Sequence, residues 1–318
     1  MGRPGRTVIP MNKKRLIYGV KILLTLVLIV LILHRVGAGK FIAAFETLDL
    51  RLFLIAVLCF PLVIAVGSEK WRQMLRHEVK GLRFNDALIS FLGGMSLGLL
   101  TPGRVGEIGR ILFINHRGKS ALAGIAIVDK IVDLEVTLAL AGAGAYVFWG
   151  PGASLVVGAA VLAGLTVIFL PAVYAPLLRR HVHRLPFQDK IAGLLSGMTG
   201  IPARTLVVCL LLRLLASLID IFQFFLLIRA FTPIGFADVV VVYPLIIMTN
   251  ILPLTIGGIG IREGVSMLTL ARFGIPSEAA VNASFLLFCI NTLLPGLLGS
   301  LFISRIQLRA GQEAMERT

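Results

Sequence analysis

Arg104, Glu107 and Arg110 recur at three-residue intervals in the run Thr101-Pro102-Gly103-Arg104-Val105-Gly106-Glu107-Ile108-Gly109-Arg110. Positions 107 and 110 lie one helical turn apart and share a face, with Arg104 at or just before the helix start. A Pro-Gly pair suits such a start, and the free N–H groups of a helix N-terminus attract anions. Guanidinium forks match phosphate oxygens better than an ammonium does. The chemistry on offer is the holding of an anionic headgroup, with Glu107 bracing the arginines or binding a proton or an amine. A second run, Leu252-Pro253-Leu254-Thr255-Ile256-Gly257-Gly258-Ile259-Gly260-Ile261-Arg262-Glu263, ends on another arginine–glutamate pair. Its glycines 257, 258 and 260, like Gly103 and Gly106 in the first run, permit close backbone approach and positive φ. The run superficially resembles a dinucleotide loop, but no βαβ unit surrounds it.

Further charges lie inside apolar stretches. Asp129, Lys130, Asp133 and Glu135 fall early in one such stretch, with Asp129 and Asp133 at i,i+4. Arg213 and Asp220 stand two turns apart in another, on one stripe. Charge within a membrane is costly and faces a cavity or a partner. Lys130 joins Arg104, Glu107, Arg110, Arg262 and Glu263 as a headgroup-binding candidate, while Asp129, Asp133, Arg213 and Asp220 are supporting charges. Mutual pairing is the alternative reading for each set. Asn250, Asn282 and Asn291 read as interhelical hydrogen-bonding residues. Cys59, Cys209 and Cys289 lie singly in apolar runs, as small hydrophobes do. No metal-ligand spacing, His-Glu-x-x-His or Gly-x-Ser-x-Gly is present, so neither a catalytic residue nor a cofactor is expected.

The elements that carry these residues are membrane helices. The chain is 57% apolar and 15% charged, with a mean hydropathy of +0.94. A soluble domain carries about a quarter charged residues. About 20 apolar residues cross the hydrocarbon, and runs of that kind fill the sequence. The net charge of +15 collects in short stretches between them, the pattern that orients membrane proteins; no basic stripe interleaved with aromatics points to nucleic acid. The expected architecture is an all-α polytopic membrane protein. It has six full spans (about 16–33, 52–66, 121–147, 153–177, 205–228 and 279–303) and two re-entrant helical hairpins, built on the broken stretches 87–100 and 236–252. A basic tail (1–15) precedes a single domain (16–310), and a polar tail (311–318) follows it. The clusters at 69–83 and 179–190 mark the cytoplasmic side. The inner, cytoplasmic membrane with both termini inside is the expected location.

The two broken stretches look alike. Phe84-Asn85-Asp86-Ala87 opens one and Phe236-Ala237-Asp238-Val239 the other. Leu100 and Leu252 each follow sixteen residues later, then proline, a glycine-rich turn and a glutamate. Beyond come a short apolar segment, Ser120-Ala121 or Ser277-Glu278, and a long span. Three full spans between the copies would give them opposite senses, an inverted repeat of about 16–150 and 151–310. Broken helices in inverted repeats are a recurrent transporter plan.

These paired motifs resemble those of the lysylphosphatidylglycerol synthase transmembrane, or flippase-like, family, whose best-known member is the flippase part of the multiple peptide resistance factor. The resemblance spans roughly residues 15–310. It implies a lipid-flipping role and carries Arg104, Glu107, Arg110 and Glu263 over as family-motif positions. Where the family often has Glu-Arg, this chain has Asp129-Lys130; the charge signs are kept, but the guanidinium fork is not. No aminoacyl-transferase domain is expected before the chain ends at Thr318, so aminoacyl-lipid synthesis is not expected. The leading expectation is a non-enzymatic flippase for an anionic phospholipid or a lipid-linked, polyprenyl-phosphate-type headgroup. A membrane-embedded lipid-modifying enzyme and a scaffold for a lipid or glycan synthase are the alternatives. Its partners are then that lipid, and a second copy of the chain or a synthase.

Overall fold

The computed structural model describes residues 43–46, 48–99, 101–171, 187–249, 255 and 258–302, together with Val30 and Gly39. The basic tail, the expected first span at 16–33 apart from Val30, and the polar tail lie outside the described residues, as does most of the basic cluster at 179–190.

Nine α-helices and a long 3-10 segment carry most of the described chain: α1 (Leu50–Leu75), α2 (Phe84–Leu99), the 3-10 segment (Pro102–Phe113), α3 (Lys119–Trp149), α4 (Pro151–Phe169), α5 (Gln188–Thr199), α6 (Ala203–Arg229), α7 (Phe236–Met248), α8 (Ile261–Leu270), which ends in a short 3-10 turn (Ala271–Phe273), and α9 (Ser277–Phe302). Five of them, α1, α3, α4, α6 and α9, are long and apolar enough to cross a membrane. They correspond to the expected spans after the first. Leu50, Leu54, Leu58 and Leu62 form an exposed stripe on α1, and Leu211, Leu215, Leu218 and Phe222 form one on α6. Apolar stripes of this size are rare on soluble surfaces, and hydrocarbon covers them in a membrane.

Two helices are too short to cross. The 16 residues of α2 rise about 24 Å, and the 13 of α7 about 20 Å, against roughly 30 Å of hydrocarbon. Glycines bind α2 to the segment that follows it. A Cβ on Gly94 would sit 2.6 Å from Arg110 Cβ, and one on Gly98 would sit 2.5 Å from Glu107 Cγ. A Cβ on Gly106 would strike the Leu97 carbonyl. Small residues allow such backbone approach.

Two points depart from the sequence expectation. α1 runs on to Leu75, so Lys70 is a helical residue only 3% exposed rather than part of a solvated basic cluster. Residues 188–199, given no element beforehand, form α5, which packs on α3 with no room for a Cβ at Gly124 or Gly197.

The buried apolar residues form two cores. One gathers Phe224, Tyr243, Ile246, Leu270 and Leu287. The other gathers Trp71, Met74, Leu122, Ile125 and Leu206. The first half of α1 belongs to the former (Ala56) and its second half to the latter (Trp71). α6 runs between the same two cores in the opposite order, from Leu206 to Phe224. The middles of these helices lie between the cores, and there the polar residues collect.

Candidate functional site: a charged cavity between the two cores

A cavity of about 520 Å³ opens at this level. Its wall includes Ile64 of α1, Asp133 of α3, Arg213 and Asp220 of α6, and Asn291 of α9, all from the middle stretches of their helices. Both broken regions reach it, the first through Arg104 and Glu107 and the second through Tyr243 and Arg262. Four cations (Arg104, Lys130, Arg213, Arg262) and three carboxylates (Glu107, Asp133, Asp220) face it.

The 3-10 segment explains how the first motif is presented. With three residues per turn, positions 104, 107 and 110 fall in one column rather than on a slanting α-helical stripe. Twelve residues is long for this geometry. Arg104, the third residue of the segment, has φ at +56°, a region uncommon for a non-glycine residue, and its side chain pairs with Glu107.

An ion-pair network links the column to three helices. Glu107 is held by Arg104 and by Lys130 of α3. Lys130 also lies 3.7 Å from Asp133. Asp133 is shared with Lys70 and with Arg213, the latter at 3.4 Å. Lys70 continues to Asp129 at 2.9 Å, and Asp129 pairs with Arg110. Arg110 and Asp129 do not line the cavity; they are 2% and 1% exposed. The Arg110 guanidinium stacks 3.8 Å over the Trp71 ring, while Trp71 Nε1 donates to Ser90 Oγ, which donates to the Arg110 carbonyl. The sequence grouped Arg110 with Arg104 as a headgroup ligand. The column instead puts it two turns further along, behind the wall, where the Asp129 carboxylate and the Trp71 indole enclose it.

The second motif is built differently. Gly258 and Gly260 have φ of +75° and +89°, and α8 starts directly after Gly260. Glu263 Oε2 accepts the Gly260 N–H at 2.6 Å and Oε1 accepts from Arg262 Nη2 at 2.7 Å. Glu263 thus caps its helix and fixes its neighbour from behind the wall. Arg262 also donates to Ser284 Oγ at 3.3 Å and lies 5.1 Å from the Phe288 ring centre. Gly257 and Asn250 lie outside the described residues.

Sequence reasoning missed Lys70, Trp71, Gln223, Tyr243 and the cavity-facing role of Asn291. Asn291 lies in a π-helical turn, Cys289–Leu293, a feature frequent at functional sites. Its Nδ2 donates to Asp220 Oδ1 at 3.2 Å and to Gln223 Oε1 at 2.6 Å. Spacing held the signal only for Asp220 and Gln223, neighbours at i,i+3.

The chain belongs to the lysylphosphatidylglycerol synthase TM region family. The family's sequence model matches residues 18–299, which takes in both motifs, α1, α3, α4 and α6 whole, α9 up to its last turn, and nearly all of the expected first span. No curated protein matches the chain.

Proposed function

We propose that this member of the lysylphosphatidylglycerol synthase TM region family is a lipid transporter, moving an anionic phospholipid or a lipid-linked headgroup across the cytoplasmic membrane without chemical change. The observation that carries this reading is the convergence of Arg104, Lys130, Arg213 and Arg262, from four separate elements, on one cavity midway between two apolar cores. Charge at that depth is a functional-site signal. Three of the four are guanidinium groups, which suit phosphate.

The element order supports an inverted repeat as its frame. The two short helices start at Phe84 and Phe236, and the long helices that follow each broken region start at Lys119 and Ser277. Three candidate spans, α3, α4 and α6, lie between the broken stretches. Read as re-entrant hairpins of opposite sense, these regions would meet at the cavity, and two equivalent halves supply two states, one open to each leaflet. Both termini are then cytoplasmic.

The test is reconstitution of the purified chain in phosphatidylcholine vesicles carrying fluorescent phosphatidylglycerol, with dithionite quenching to report movement between leaflets. Wild type is expected to move the lipid, and Arg104→Ala and Arg213→Ala each to lose at least tenfold in rate while keeping a wild-type elution profile. Normal movement in the double variant would remove the headgroup site. Chemical conversion of the lipid would replace transport by enzymatic action. Failure of wild type alone, with an enzyme co-purifying, would favour the scaffold.

A further inference from the structure

The carboxylates around the cavity divide by partner. Glu107 is held by Arg104 and Lys130, Asp129 by Lys70 and Arg110, Asp133 by Lys70 and Arg213, and Glu263 by Arg262. Asp220 is different. It is 7% exposed, it forms part of the cavity wall, and among the described residues its one hydrogen bond is from the neutral Asn291 amide. A carboxylate inside a membrane needs a cation or a proton, and among the described residues no cation sits at ion-pairing distance of this one.

The surroundings fit a group that changes its charge. Arg213 on its own helix, Arg104 from the 3-10 segment and Asp133 from α3 act on Asp220 from a distance. Tyr243 of α7 and Cys59 of α1 also lie within electrostatic reach. Asn291 Oδ1 is buried with no donor, so acceptor capacity is spare beside the carboxyl. A protonated carboxyl brings an O–H donor that an ionised one lacks. Glu135 also lacks an ion-pair partner among the described residues, but it lies against Gly164 of α4 rather than on the cavity wall.

We propose that Asp220 is a proton-binding site exchanging with the cavity and, resting on the transport reading, that its protonation strengthens binding of the anionic headgroup. With Asp220 ionised, the four wall cations exceed the wall carboxylates by one; with Asp220 protonated, they exceed them by two. Anion binding then draws in a proton, because coupling between two sites is reciprocal. A proton carried with an anion also offsets the work of moving charge against the membrane potential.

Two measurements on the full chain test this. The first is infrared difference spectroscopy of the purified protein across a pH titration. A protonated-carboxyl stretch that titrates in wild type and in Glu135→Gln, and is lost in Asp220→Asn, is the expected result; a band unchanged in Asp220→Asn overturns the proton site. The second is phosphatidylglycerol movement in vesicles under an imposed pH gradient. Wild type and Asp220→Glu are expected to change rate about tenfold, a usual size for coupled sites, and Asp220→Asn to show no response. Movement indifferent to the gradient in wild type overturns the coupling and leaves the transport reading standing, and so does movement that follows sodium rather than pH. If wild type moves no lipid at all, transport fails as a reading and the infrared titration alone decides the proton site.

Discussion

The two broken regions carry the same pair of residue types and hold them in opposite ways. In the first, Arg104 and Glu107 belong to a network that runs through Lys130, Asp133, Lys70 and Asp129 to Arg110, tying the 3-10 segment to α1, α3 and α6. In the second, Arg262 is satisfied locally by its sequence neighbour Glu263, by Ser284 and by the face of Phe288. The Arg104 side chain is 24% exposed and that of Arg262 only 2%. A partly exposed cation with an exchangeable partner can hand itself to an incoming anion. On the proposed transport reading, a buried one with three fixed partners would be the post against which that exchange takes place. The asymmetry also explains why the first region needs its glycines packed so closely: its charges must be reached by three other helices at once.

The sharpest way to break this comparison is Arg110→Ala. Removing one partner of a buried ion pair leaves the other charge uncompensated, at a cost of about 3–5 kcal/mol. Thermal unfolding in detergent should show a large loss, whereas Arg104→Ala, at the exposed end of the same column, should keep a near-wild-type midpoint while losing transport. Equal losses from the two would erase the distinction between wall and support.

Next in size is Gly106→Ala. The added methyl meets the Leu97 carbonyl and lies 2.6 Å from Thr101 Oγ1, and overpacking of this kind costs about 1–3 kcal/mol. The expected readout is a lowered unfolding midpoint, with faster proteolysis between α2 and α3.

The smallest effect, of opposite sign, is expected in the second region. A Cβ on Gly264 of α8 meets nothing within 4 Å, and alanine exceeds glycine in a helix interior by about 0.5–1 kcal/mol. Gly264→Ala should raise the unfolding midpoint slightly. A loss there would show that the second region is as tightly packed as the first.

Much of this arrangement was legible in the chain. Hydropathy marked the spans, since the cost of exposing polar backbone to hydrocarbon acts on every residue of a stretch and adds up locally. The starts of the two short helices at Phe84 and Phe236 were legible for the same reason, as were Arg104, Glu107 and Arg262 from their glycine-rich settings. Lys70 was not: it sits among Glu69, Arg72 and Arg76, and a linear reading assigns all of them to one solvated cluster. α5 was missed because it is short, directly follows a basic stretch and buries only Leu195 and Gly197, too little apolar surface to leave a hydropathy signal.

The amino-acid sequence by itself determined that this is a helical membrane protein with charges at depth, because both follow from residue type and local spacing. Only the tertiary structure decided which charges face the cavity and which stand behind it. That depends on how each helix is rotated about its axis and on a 3-10 rather than an α-helical column at 104–110. Burial of Arg110 under Trp71, sharing of Asp133 between Lys70 and Arg213, and the lack of an ion-pairing cation beside Asp220 among the described residues are relations between distant segments. They are set by close packing at glycine contacts that no single stretch of the chain contains.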